Sequence, residues 1–217
     1  CRFKQPKLGV KTMSKQMSPS RPLCWVFCAL LLGGCGGMTR VQLESSFPTL
    51  LIEPRELRAA VIMSPEFSQY VATPNKNMTL EIGASQRSIL EKTFGGLIDE
   101  VVFVDAAELI EQPQDIIIRP SVVEVQVAVP SENYLNVYEV WIKYNLAISD
   151  GDDNPIENWF MPVYGKTASA FMLQKDAAVG SATTIALRDI GAKLSLDFYR
   201  IPALQSYIDE RRREAAR

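Results

Sequence analysis

YEVWIKYNLAISD, residues 138–150, alternates without a break. Tyr138, Val140, Ile142, Tyr144, Leu146 and Ile148 point one way, and Glu139, Trp141, Lys143 and Asn145 the other. A strand with one apolar and one polar face belongs in an antiparallel sheet that is covered on one side and wet on the other. The flanking segments extend that sheet. DGDDNP turns the chain, and ENWFMPVYGKTASAFM (157–172) returns it as a strand, with Pro162 expected at a bulge. Upstream, DIIIRPSVVEVQVAVP (115–130) is a long β segment. Pro120 lacks an N–H for the ladder and marks an edge or a bulge.

Further from this centre the period changes. AAVIM (59–63) is a short apolar run closed by Ser64-Pro65 and reads as a buried strand. The proline- and asparagine-containing stretch 65–77 reads as a loop, and MTLEIG (78–83) as a second strand. Ser85 is positioned to cap a helix whose inward face holds Ile89, Leu90, Phe94, Leu97 and Ile98. VVFV (101–104) is a strand, and the segment 106–114 a turn or short helical piece. After Asp176 as cap, a long helix carries Ala182, Ile185, Ala186, Ile190 and Leu194 inward until Pro202 ends it. The polar remainder holds Arg211, Arg212 and Arg213, read as a solvated helix end that suits the helix dipole. The order β-β-α-β-β-β-β-α predicts an α/β (α+β) sandwich. Its sheet is mostly antiparallel, of about five to six strands, with two main helices packed on one face.

The amino-terminal segment obeys different rules. KTMSKQMSPSR (11–21) carries Lys11, Lys15 and Arg21, and CWVFCALLLGG (24–34) follows as a short apolar run. A basic flank, a short apolar stretch and small residues make a secretory signal. About 11 apolar residues are too few to cross a bilayer core, which takes about 20. Met13 or Met17 would start a signal of ordinary length, so residues 1–34 are assigned to the signal peptide, upstream translated residues included.

Leu32-Gly33-Gly34-Cys35 resembles the lipobox of bacterial lipoproteins. The resemblance implies cleavage before Cys35 and acylation of its sulfur and its new amino group. The four cysteines are Cys1, Cys24, Cys28 and Cys35, so the mature chain would keep only the lipid-bearing one and form no disulfide. Acyl chains at about 0.8 kcal/mol per buried CH₂ hold such a chain firmly to a membrane. In known lipoprotein sorting, Asp after the cysteine often causes inner-membrane retention. Gly36-Gly37 follow here, which implies the outer membrane, periplasmic face. The expected organisation is a lipidated amino terminus and flexible tether over 35–56, then one periplasmic domain over 57–217.

Composition narrows the function. From Cys35 on, 17 basic residues face 25 acidic ones, a net charge of about −8, which argues against nucleic acid and against a basic lipid-binding face. The chain has no histidine, which removes Ser/His/Asp catalysis and the commonest metal ligand. Asp150, Asp152 and Asn154 match the start of a calcium loop, but Pro155 and Met161 stand where Gly and Glu are needed, so DGDDNP reads as a hairpin turn. YGKT (164–167) lacks the glycine-rich lead of a phosphate loop. Glu108 and Glu111 read as solvated. Trp141, joined by Trp159 and Phe160 on the returning strand, is a candidate partner-docking surface.

In layout, residues 57–200 resemble transport-auxiliary lipoproteins, the lipopolysaccharide-assembly lipoprotein and the amino-terminal domain of the Tol-system propeller protein. That resemblance implies an accessory subunit with no cofactor beyond the covalent lipid on Cys35, and it transfers no functional residue. The expected function is a non-enzymatic accessory or binding subunit of cell-envelope assembly or transport, held to the membrane by its lipid and bound to an envelope protein. The alternative is a periplasmic lipid or glycan carrier, which needs an apolar cleft between helices and sheet.

Overall fold

The computed structural model describes residues 39–43, 53–169 and 174–217. In order these form strand β1 (Thr39–Gln42), β2 (Arg55–Ile62), the short helix α1 (Pro65–Ser68), β3 (Val71–Asn75), β4 (Met78–Glu81), helix α2 (Gly83–Leu97) and β5 (Ile98–Val104). Then come β6 (Ile116–Ala128), β7 (Val137–Asp150), β8 (Pro155–Ala168), α3 (Lys175–Asp197) and α4 (Pro202–Ala215). Cys35, Leu32, Gly33, Gly34 and the signal segment lie outside the described residues, as do 170–172 of the expected returning strand.

The described residues make an α+β fold with two sheets instead of one. The larger has five strands in the order β5-β2-β6-β7-β8, and the smaller three in the order β1-β4-β3. Pairs β6–β7 and β7–β8 are antiparallel, as the alternation at 138–150 requires. Pairs β2–β5 and β2–β6 are parallel, so the sheet is mixed, while its longest ladders are antiparallel as expected. The cause is the connection. Helix α2 lies between β2 and β5, and a crossover through a helix returns the chain in the same direction.

Several boundaries also move. Thr39–Gln42 was expected in a flexible tether but pairs in parallel with Met78–Glu81, because β4 offers a free edge to an extended segment. The stretch 65–77 contains α1 and β3, not only loop; Ser64 caps α1 by accepting from the Phe67 amide at 3.3 Å. Helix α2 starts at Gly83 without a side-chain cap, and Ser85 is buried in its first turn. Gln174, not Asp176, occupies the N-cap of α3, and Asp176 sits in the first turn where its charge suits the dipole. Pro162 pairs in regular register with Lys143 on an edge strand and makes no bulge. The bulge on β6 falls at Val122/Glu124; Pro120 sits beyond Ile118, the last β6 residue paired to β2, where no ladder bond is needed on that side.

The core fills the space between the five-stranded sheet and α2 and α3. Val61, Ile118, Ile142, Leu146 and Val163 project from the sheet, and Leu90, Phe94, Ala186, Ile190 and Leu194 from the helices; all are buried. Burying each large side chain contributes about 1.5–3 kcal/mol against full exposure. Phe94 and Phe198 meet edge to face with centroids 5.4 Å apart. Helix α3 sits low on β8: a Cβ at Gly165 would run into the Ala182 carbonyl and the Ala186 amide. The carboxy-terminal stretch is not a polar tail. It is α4, with Leu204 and Ile208 buried.

Candidate docking surface

Alternation along β7 and β8 decides which side chains share a face. Trp141 lies opposite Tyr164, Lys143 opposite Pro162, and Asn145 opposite Phe160. These six form the face turned away from α2 and α3. The Trp141 and Tyr164 rings stack with centroids 5.3 Å apart at 37°. The Tyr164 hydroxyl donates to Glu139 Oε1 at 2.7 Å, and its pKa is pushed up to about 12 by burial and by that carboxylate. Lys143 pairs with Glu124 of β6 at 2.5 Å, and the lysine and Gln126 together hold the Glu124 carboxyl below the usual range. Phe160 is 51% exposed, and Val123, pushed out by the bulge, is 57% exposed. The surface is thus an aromatic and apolar patch laced with charged pairs, suited to a protein partner's mixed surface.

The three aromatics singled out in the sequence do not converge. Trp141 and Phe160 share the outer face, about 13 Å apart along the strands at 3.3 Å per residue. Trp159 lies opposite Leu146 on the helix-facing side. There it packs on the core and lines a shallow cleft with Asp197, Arg200 and Pro202. Adjacent strand residues point to opposite faces, so Trp159 and Phe160 cannot belong to one surface.

The neighbouring sheet edge is engaged by helix α3 at two points. The Tyr164 amide donates to Asp189 of α3 at 3.2 Å, and the Lys193 ammonium donates to the Pro162 carbonyl. Two groups of the β8 edge are thereby capped by side chains, a common protection against unwanted pairing.

A polar cleft of about 430 Å³ lies at the other end of the sheet, lined in part by Arg58, Gln114, Asp150, Tyr207 and Arg211. Asp115 is its organiser. It accepts from the Arg58 amide at 2.8 Å, from the Arg58 guanidinium at 3.2 Å and from Arg211 at 2.7 Å; its own carbonyl accepts from the Tyr207 hydroxyl at 2.9 Å. Burial opposes ionisation of Asp115, but the Arg58 amide and the two guanidinium groups outweigh it and hold the carboxyl below the usual range. Arg211 is therefore a tie between α4 and the sheet, not a solvated helix end. The DGDDNP segment is a hairpin turn: Asp150 Oδ1 accepts from the Asp152 and Asn154 amides at 3.0 and 2.8 Å. Among the described residues, no group of three or more acidic, Cys or His side chains could hold a metal ion.

No protein-family model matches the chain, and no curated protein matches it. Solved structures overlap it loosely. A minor lipoprotein from Acinetobacter baumannii shares 8% identity, with 65% of this chain and 89% of that one covered, at a TM-score of 0.41. A hypothetical protein from Chlamydia trachomatis shares 12%, covering 64% and 96%, at 0.40. A lipoprotein from Neisseria meningitidis shares 10%, covering 63% and 99%, at 0.28. At these scores the overlaps carry no functional role to this chain.

Proposed function

We propose that this chain is an outer-membrane lipoprotein, anchored through Cys35, whose periplasmic domain is a non-enzymatic binding subunit for an envelope protein. The observation that carries the binding role is the uneven covering of the five-stranded sheet. Helices α2 and α3 bury one face, while Trp141, Tyr164, Phe160 and Val123 stand on the other among charged pairs. Anchoring raises local concentration at a membrane partner, so such a subunit needs no active site. The support for the anchor is the run from Arg21 to Cys35, with its apolar stretch ending in Leu-Gly-Gly-Cys.

The carrier alternative needs room for acyl chains between helices and sheet. That interface is filled by Phe94, Tyr144, Leu187 and Ile190, and α3 rests on Gly165 without a gap. The docking reading is the better one on this ground.

The test is recovery of partners from crosslinked envelope with the full-length wild type, a Trp141→Ala/Phe160→Ser variant and a Thr184→Ser control. The reading expects one defined membrane complex with wild type and control, lost with the double variant at unchanged thermal stability. Equal recovery with all three overturns the assigned surface.

A further inference from the structure

The two edges of the five-stranded sheet are treated differently. At β8, Asp189 and Lys193 of α3 engage the backbone. At the other edge lies β5, whose one strand neighbour among the described residues is β2. Parallel pairing with β2 uses alternate N–H and C=O groups of β5, and the others point outward. The register is regular from Glu100 to Val104, after a shift opposite Arg55 and Arg58. This stretch holds no proline, and its VVFV run (101–104) carries no charge. Proteins commonly blunt an edge with a proline, a bulge or a charge in the strand itself.

The two faces of β5 also differ. Val101 and Phe103 pack against the core. Val102, 43% exposed, and Val104 face the other way. The connection from β5 to β6 lies beside them. Val102, Val104, Leu109, Glu111, Gln112 and Gln114 line a groove of about 280 Å³, and Leu109 is 57% exposed. A strand added at β5 would turn every second side chain toward this groove.

Charge says what kind of strand fits. Residues 98–111 hold five carboxylates, Asp99, Glu100, Asp105, Glu108 and Glu111, and no basic residue. Asp105 is paired with Arg87 at 2.6 Å. The other four are exposed and make no ion pair among the described residues. Arg58, opposite Glu100 on β2, is committed to Asp115 at 3.2 Å. Two of the four precede the VVFV run and two follow it, so the edge is apolar at its centre and anionic at both ends. A second copy of the chain does not suit it. Antiparallel pairing about Val102 would set Asp99 of each copy against Asp105 of the other, and in-register parallel pairing would stack like on like.

We propose that β5 is a strand-addition site for an extended segment of another protein, with alternating apolar residues at its centre and lysine or arginine at both ends. Its backbone extends the sheet past β5. An apolar side chain enters the groove beside Val102 and Leu109, and its cations meet Asp99, Glu100, Glu108 and Glu111. The site is separate from the Trp141 face, which lies three strands away on β7, and it does not rest on the lipid anchor.

The test is fluorescence anisotropy of labelled peptides with the full-length protein. One probe alternates valine and threonine and ends in lysine on both sides; the second has the same centre and ends in glutamate. The inference expects the lysine-ended probe to bind at least about tenfold more tightly than the glutamate-ended one, and to lose a similar factor with Glu100→Lys/Glu111→Lys. Val102→Lys, which leaves the carboxylates in place, should weaken it as well. Hydrogen exchange should slow at amides within 100–104 when the lysine-ended probe is bound, and stay unchanged along β8. Absence of binding by the lysine-ended probe overturns the inference. So does binding without slowed exchange at 100–104, which would be a charge contact with no added strand. Sedimentation that shows a dimer of the wild type, abolished by Val102→Lys, would put a second copy on this edge and overturn it too.

Discussion

At the scale of single residues, one buried polar chain joins three elements. The Tyr144 hydroxyl donates to Gln86 Oε1 at 2.9 Å, and Gln86 Nε2 donates to the Phe67 carbonyl at 2.6 Å. Burial pushes the Tyr144 phenol well above its ordinary pKa, so it stays a donor across the accessible pH range. Tyr144→Phe removes the donor and leaves a buried amide oxygen without a partner, which costs about 1–3 kcal/mol. Urea denaturation should show a lower midpoint at unchanged slope; an unchanged midpoint would mean that water replaces the hydroxyl. The alternation of 138–150 places Tyr144 inward from sequence alone. Its partner was not legible, because Gln86 sits 58 positions away on a helix whose apolar stripe gives no reason to bury a glutamine. The same logic limits the aromatic candidates. Trp141 was readable as outward, whereas grouping it with Trp159 ignored that 159 and 160 must diverge. Glu108 and Glu111 read singly as solvated, although carboxylates on both sides of VVFV (101–104) are a visible signal.

At the scale of elements, the seat of α3 on β8 depends on the absence of a side chain at one position. Gly165→Val has no space beneath the Ala182 carbonyl, so the helix must lift. Overpacking of this kind costs about 1–3 kcal/mol, and more where backbone has to move. Thermal unfolding should fall by several degrees, while Lys166→Ala on the exposed neighbour should change little. Equal effects would show that α3 is not tightly seated. The long elements were legible: β6, β7, β8, α2 and α3 each have enough period to announce themselves. The short ones were not. β1 and β3 have four and five residues, too few for alternation to stand out, and their pairing depends on which edge is vacant in three dimensions. Strand direction was equally hidden, since parallel pairing of β2 follows from the helical crossover and not from composition.

At the scale of the whole molecule, α4 closes the end of the sheet remote from β1. Leu204 and Ile208 supply the apolar contact, and Tyr207 and Arg211 the polar one through Asp115. A carboxyl held below its ordinary pKa gives stability that is complete above the unfolded value, about 4, and is lost as pH falls through the lower folded value. Asp115→Asn should therefore destabilise the domain at pH 6, and the gap to wild type should narrow at pH 3. A gap of constant size would assign the effect to shape instead of charge. The acidic, histidine-free composition fits this arrangement: the conspicuous side-chain clusters are ties between elements.

The account rests most heavily on Cys35, and intact mass spectrometry of the protein purified from membranes addresses it directly. The predicted species begins at Cys35 and carries the added mass of a diacylglycerol on sulfur and an acyl chain on nitrogen. A chain that retains residues upstream of Cys35, or one that begins there with an unmodified thiol, would contradict it.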